Sequence, residues 1–309
     1  MTDPIQLRSG MPQREAELVK SLPPLSSALK EEYVTIPGPK QLKITRPVQI
    51  SSDSTTAPPL ILLFHGGGFI TGSPEQVTRP AREFAEEFGA VVVGASYKFI
   101  PEHIFPGSIE DAYDTLVWLS KNAPTQLGVN LQNGFVVGGV SAGGNIAAVL
   151  PTLAIERGDF PKEVKITGSY VMILSLLVKE IVPKEYLADW RSREENKNGG
   201  GVLSSEAVDA IIAILKPDIH SPLFSPFNSS DEVLKQLPRT YIQVGGKDCL
   251  RDDGIVYQKF LKSKGVDVKI DSYPDFGHLS YTIFTQKGDE EEENLRVNTM
   301  QAMKWLLRL

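Results

Sequence analysis

Ser141 lies in the pentapeptide Gly139-Val140-Ser141-Ala142-Gly143, after the apolar run Phe135-Val136-Val137 and before Asn145-Ile146-Ala147-Ala148-Val149-Leu150. Strand, sharp turn and helix are expected in that order. A serine at such a turn is held in a strained backbone conformation that lifts its hydroxyl above a sheet, and flanking glycines let strand and helix approach. Ser141 is therefore a candidate nucleophile for acyl transfer. Glycine and serine are common residues, so the pentapeptide alone carries little weight. It gains weight from the other parts that such chemistry needs: a base, an acid to orient it, and donors for a developing oxyanion.

Those parts can be found. His65-Gly66-Gly67-Gly68-Phe69 directly follows an apolar run ending at Phe64, and glycines there can turn consecutive N–H groups inward without side-chain obstruction. This is an oxyanion hole in outline, and one lost donor typically costs about 2.7–4 kcal/mol of transition-state stabilisation. A phosphate cradle is the competing use, but neither G-x-G-x-x-G nor G-x-x-x-x-G-K-[ST] occurs.

Of the four histidines, His65 precedes the glycine loop and reads as its brace, while His103 and His220 stand near prolines and read as structural. His278 closes the segment Pro274-Asp275-Phe276-Gly277-His278, which begins directly after the last expected strand, where a loop histidine would reach the C-terminal edge of a parallel sheet. It is the expected base. The acid should follow the preceding strand, and Tyr241-Ile242-Gln243-Val244 leads through Gly245-Gly246-Lys247 to Asp248. Asp252 and Asp253 compete for that role, although helix capping and dipole complementarity account for both. Cys249 reads as a small packing residue.

These groups need a scaffold. Apolar, β-branched runs recur at 59–64, 90–94, 134–138, 165–174, 239–244 and 268–273. Helical patterns fall at 75–88, 108–120, 142–156, 252–264 and 292–309. Such alternation predicts an α/β fold with a mostly parallel sheet covered by helices on both faces. The chain order Ser141, Asp248, His278 is that of α/β-hydrolases. Two segments fall outside the alternation, residues from about 1–40 and 179–216, and both are expected to form a lid on one domain spanning 1–309. The charged stretch from Arg191 to Asn198 reads as a solvated surface loop.

Composition narrows the function. At 309 residues and 41% hydrophobic content, the chain can bury a full core. A net charge of -6 gives no basic surplus for nucleic acid or an anionic membrane. A single cysteine precludes an intramolecular disulfide, no N-terminal leader is evident, and no stretch of about 18 apolar residues occurs. The expectation is a cytoplasmic protein without stable membrane insertion. No metal or other cofactor is expected. An exposed edge strand could support a homodimer.

Several further motifs resemble the hormone-sensitive-lipase-like branch of the α/β-hydrolases, which contains many small carboxylesterases. His65-Gly66-Gly67-Gly68-Phe69 looks like its oxyanion motif, and Tyr97 with Pro101-Glu102-His103-Ile104-Phe105-Pro106 and Asp111 is similar to another family segment. Ser141-Ala142-Gly143-Gly144-Asn145 resembles its serine elbow, and Asp248-Cys249-Leu250-Arg251-Asp252-Asp253-Gly254 its acid loop. The resemblance implies Ser141 as nucleophile, His278 as base and Asp248 as acid, with oxyanion donors on the N–H groups of Gly67, Gly68 and Ala142. For Glu102 and His103 it implies bracing of the core behind the site, although both read more simply as ordinary structural polar residues. One departure stands out: the usual elbow carries an aspartate where this chain has Val140.

The expected activity is cleavage of a small-molecule carboxylic ester through an acyl-serine, with Phe69, Ile70 and Leu279 contacting substrate. Two alternatives remain: a biosynthetic enzyme using the same site for acyl transfer, lactone processing or elimination, and a non-catalytic small-molecule receptor. Plant hormone receptors of similar sequence lack the catalytic histidine, so His278 speaks against the latter.

Overall fold

The computed structural model describes residues 8–51, 53, 55–198, 203–278 and 290–309. In the N-terminal half the elements are α1 (Met11–Ser21), β1 (Leu29–Ile36), β2 (Lys40–Pro47), β3 (Leu60–Phe64), α2 (Thr78–Phe88), β4 (Val91–Ala95), α3 (Gly107–Leu127), β5 (Phe135–Val140) and α4 (Ala142–Arg157). There follow β6 (Gly168–Met172), α5 (Ser192–Glu195), α6 (Ser205–Leu215), α7 (Asp231–Leu234), β7 (Arg239–Gly245), α8 (Arg251–Ser263), β8 (Val268–Tyr273) and α9 (Glu290–Leu307).

Every residue of β3, β4, β5 and β6 is buried, because runs such as Leu60-Ile61-Leu62-Leu63-Phe64 are apolar on both faces. The strands form one sheet in the order β1-β2-β4-β3-β5-β6-β7-β8. Neighbours from β4 to β8 run parallel, whereas β2 is antiparallel to both β1 and β4. Alternate residues divide between two cores. Leu60, Leu62, Phe64 and Val137 pack with Leu116, Ile146 and Val256 of α3, α4 and α8, and Ile61, Leu63 and Val136 pack with Phe84 and Leu306 of α2 and α9.

The six expected strands are present within a few residues of their expected bounds. β1 and β2 were not anticipated, and Leu29–Ile36 lies in the segment expected to be lid. Its sequence is charged rather than apolar because it is an edge strand: Glu31 receives two bonds from Arg82, at 2.8 and 3.0 Å, and Glu32 pairs with Arg46 at 2.5 Å. Edge charges of this kind discourage pairing with another chain and erase the apolar signature of a strand.

The insertion between β6 and β7 is fastened by two adjacent carboxylates at the start of α8. Asp252 accepts the N–H groups of Arg191 and Ser192 at 2.7 and 2.6 Å. Asp253 is fully buried and accepts the N–H groups of Leu176 and Leu177 at 2.9 and 3.0 Å and the Trp190 indole N–H at 2.8 Å, with Arg193 at 3.5 Å. Capping and dipole effects therefore do not account for these residues; their side chains tie a distant segment to the sheet. Burial pushes the Asp253 carboxyl up, and its donors hold it down. Asp253→Ala would strand several buried donors. We expect a loss of about 3–5 kcal/mol in urea-denaturation stability; a loss within experimental error would refute the anchoring role.

Candidate active site

Ser141 caps α4 with φ 56° and ψ −117°, a conformation that side chains rarely adopt. Its N–H donates to Met172 O of β6 at 2.9 Å. The neighbouring glycines permit the turn in an identifiable way. A Cβ on Gly139 would lie 2.1 Å from Gly143 O, and one on Gly143 would lie 2.3 Å from Phe64 O and 2.4 Å from His65 O. The elbow is thus pressed directly onto the start of the glycine loop.

In that loop Gly67, Gly68 and Phe69 all have positive φ, at 116°, 61° and 59°. The N–H groups of Ile70 and Thr71 return to Gly67 O at 2.9 and 3.1 Å, while neither the Gly67 nor the Gly68 N–H donates to a described residue. Ala142 begins α4, so its N–H also lacks an intrahelical acceptor. Behind the loop His65 is buried: its Nδ1–H donates to Gly66 O at 2.6 Å, leaving Nε2 to accept Ser96 Oγ at 2.9 Å. Its ring stacks on Tyr97, whose hydroxyl donates to His65 O at 3.0 Å. The expected bracing role fits this placement.

His278 and Asp248 approach from the other side. A Cβ on Gly245 would stand 2.2 Å from Gly277 O, and one on Gly246 would stand 2.5 Å from Pro274 O, so only glycine lets the two loops meet backbone to backbone. Lys247 N–H then donates to Phe276 O at 2.8 Å. His278 Nδ1 donates to Asp248 Oδ2 at 2.9 Å, and Nε2 accepts from Ser141 Oγ at 2.8 Å. Asp248 is fully buried, and its Oδ1 accepts Leu250 N–H at 2.9 Å. From the insertion, the Asn196 side chain donates to Gly246 O and Asp248 O at 3.0 and 2.9 Å. Burial pushes the neighbouring Cys249 thiol up to about 11, in keeping with a packing role.

A family model described as alpha/beta hydrolase fold matches residues 61–282. The chain belongs to this family, in its hormone-sensitive-lipase-like branch. Among curated relatives, esterase LipI of Mycobacterium tuberculosis is 34% identical over 69% of this chain and 62% of its own length. An AB hydrolase superfamily protein of Schizosaccharomyces pombe is 28% identical over 90% of this chain and 81% of its own. Among solved structures, vibralactone cyclase aligns with a TM-score of 0.85 and 26% identity, covering 100% of this chain and 90% of that one.

Around these residues of the α/β-hydrolase fold, the other expected site residues are placed as follows. Phe69 lines a narrow apolar cavity with Phe105, Ile212, Leu215, Leu223 and Phe224, but Ile70 does not, and Leu279 lies outside the described residues. α6 contributes Ile212 and Leu215, and Ile211 Cδ1 sits 2.8 Å from the position of a Cβ on Gly68. Asn145 supports this wall by donating to Ser175 O and Phe224 O at 2.8 and 3.0 Å. Its amide within a run of apolar residues was the signal that could have marked it. Glu102 and His103 are exposed and do not brace the core. Glu102 instead pairs with Arg8 at 2.7 Å, and that hydrogen bond lowers its carboxyl to about 2. Among the described residues no group of His, Cys, Asp or Glu could hold a metal, and no helix is long and apolar enough to cross a membrane.

Burial lowers the His65 imidazole from its usual 6.5 to about 4. Between those values the unfolded chain binds the proton and the folded one does not, so stability is complete above pH 6.5 and declines as pH falls toward 4. The contribution is about 3 kcal/mol. Urea denaturation from pH 7 to 4 should show this slope in the wild type and a flatter one in His65→Gln; parallel curves would contradict it.

Proposed function

We propose that this α/β-hydrolase cleaves carboxylic esters of small molecules through an acyl-Ser141 intermediate. The observation that carries the reading is the unbroken relay from Asp248 Oδ2 through His278 to Ser141 Oγ, at 2.9 and 2.8 Å. Because Nδ1 donates to a buried carboxylate, Nε2 is left free to take the serine proton. Ser141 Oγ attacks the ester carbonyl, and the proton passes to His278 Nε2. The tetrahedral oxyanion is held by the N–H groups of Gly67, Gly68 and Ala142. Collapse expels the alcohol, which takes the proton from Nε2. Water then attacks the acyl-serine with His278 as base, and a second collapse releases the acid and restores Ser141.

Residues ahead of β1 and the insertion carrying α6 serve as the lid over a single α/β-hydrolase domain. α6 presents apolar side chains to Phe69 and Gly68, which suits an ester with an apolar acyl or alcohol part. A small-molecule ester is accordingly the proposed partner. Retention of His278 within reach of Ser141 disfavours the receptor reading.

A second reading draws on the full-length likeness to a protein called vibralactone cyclase. If the closed apolar wall excludes water, a hydroxyl within the substrate can intercept the acyl-serine and form a lactone. Hydrolysis in ¹⁸O-water separates the two: label in the carboxylic acid marks hydrolysis, and an unlabelled cyclic product marks acyl transfer.

Replacing Ser141 with alanine should lower turnover of p-nitrophenyl acetate and butyrate by about 10⁵-fold, and Asp248→Asn by about 10⁴-fold. Undiminished turnover by the alanine variant would sink the mechanism. Gly245→Ala should reduce kcat by about 100-fold by separating the acid and histidine loops; wild-type kcat would show that their close contact is dispensable.

A further inference from the structure

Val140 brings no hydrogen bond to the oxyanion loop. Its Cγ1 lies 3.6 Å from where a Cβ on Gly66 would stand, so the side chain that adjoins the loop there is apolar. The loop nonetheless carries three consecutive residues at positive φ, one of them the non-glycine Phe69, and such geometry persists only where its surroundings enforce it.

The enforcement comes from the N-terminal segment. Arg8 Nε donates to Ile70 O at 2.6 Å, and a terminal nitrogen of the same guanidinium donates to Ile100 O. Both terminal nitrogens also reach the Glu102 carboxylate, each at 2.7 Å, and the guanidinium lies 5.3 Å from the centre of the Phe99 ring. Ile100 N–H in turn donates to Phe69 O at 2.9 Å. Phe69 and Ile70 are thereby stapled to the 99–102 turn. At the far end of the loop, buried Glu15 of α1 accepts from Ser73 Oγ and from Gln76 Nε2, the latter at 2.8 Å. That Gln76 amide stands 2.7 Å from the position of a Cβ on Gly72, which is itself 2.5 Å from Gly66 O and His65 Nδ1.

We propose that Arg8 is a positioning residue for the oxyanion hole, acting through Ile70 on the Gly67–Gly68 peptide. Ile70 N–H donates to Gly67 O, and the carbonyl of Gly67 shares a planar peptide with the N–H of Gly68. Holding Ile70 fixes that carbonyl, and fixing the carbonyl aims the Gly68 N–H in the opposite direction. The N-terminal segment thus supplies polar support that Val140 does not. This assignment rests on the ester-cleaving reading of the site.

The test uses the full-length chain as wild type, Arg8→Ala, Arg8→Lys and Glu102→Gln. Three quantities are followed: steady-state turnover of p-nitrophenyl acetate, the rate of labelling by a fluorophosphonate, and the thermal midpoint. Arg8→Ala should lower kcat by about 10- to 100-fold with KM little changed, and should slow labelling in parallel, since phosphonylation uses the same hole. Arg8→Lys should restore only part of the rate, because an ammonium lacks the planar fork that spans two carbonyls and a carboxylate. Glu102→Gln, which leaves both carbonyl contacts in place, should fall between wild type and Arg8→Ala. Wild-type kcat and labelling in Arg8→Ala, with or without a lowered midpoint, would overturn the assignment and leave a merely structural clasp. Should Arg8→Ala not fold, wild-type rates in both Arg8→Lys and Glu102→Gln would overturn it equally. A wild type that neither turns over ester nor takes the label would instead overturn the ester reading, and this inference with it.

Discussion

The strained peptide at Ser141 is the constraint on which the rest of the site depends. Its φ of 56° costs on the order of 1–3 kcal/mol and survives because β5, α4 and β6 enclose it, with the Ser141 N–H tied to Met172 O. Gly139 lies on the carbonyl of Gly143, and Gly143 lies on the carbonyls of Phe64 and His65. Ser141 and the glycine loop are consequently one packed unit. Neither can move without breaking contacts at van der Waals distance, and close-packed interiors resist such shifts.

His278 and Asp248 are joined by the same device at the neighbouring strand ends. Gly245 and Gly246 rest on the carbonyls of Gly277 and Pro274, so the loops after β7 and β8 run in direct backbone contact. Only then can His278 reach both Asp248 and Ser141, residues 30 and 137 positions away in the chain. Three nearby aspartates divide the labour through their partners. Asp248 faces the histidine, whereas Asp252 and Asp253 face the backbone of the insertion. Identical side chains thus hold a histidine in one place and a backbone segment in another.

The two segments lying over the site approach it differently. α1 and its preceding residues grip the loop through charge and hydrogen bonds, with Arg8 at one end and Glu15 at the other. α6 approaches through Ile211, Ile212 and Leu215, which offer dispersion and exclusion of water but no direction. The first arrangement is directional; the second is apolar packing alone.

Much of this was legible in the sequence, because the information was local. Apolar runs without alternation mark strands covered on both faces, and spaced glycines around Ser141 mark an elbow. Loops after successive parallel strands must open at one edge, which is why Asp248 and His278 could be named beside Ser141. What the sequence could not reveal lies in contacts between distant residues of ordinary composition. Leu29–Ile36 carries charges that conceal an edge strand until Arg82 and Arg46 are seen against it. Asp252 and Asp253 match helix-start residues until the insertion folds over them. Arg8 and Glu102 are 94 positions apart and sit in no shared pattern. Local backbone preference determined the elbow and the strands; only tertiary packing decided which charged side chains would hold the loops in place, because partner choice depends on distances that no periodicity encodes.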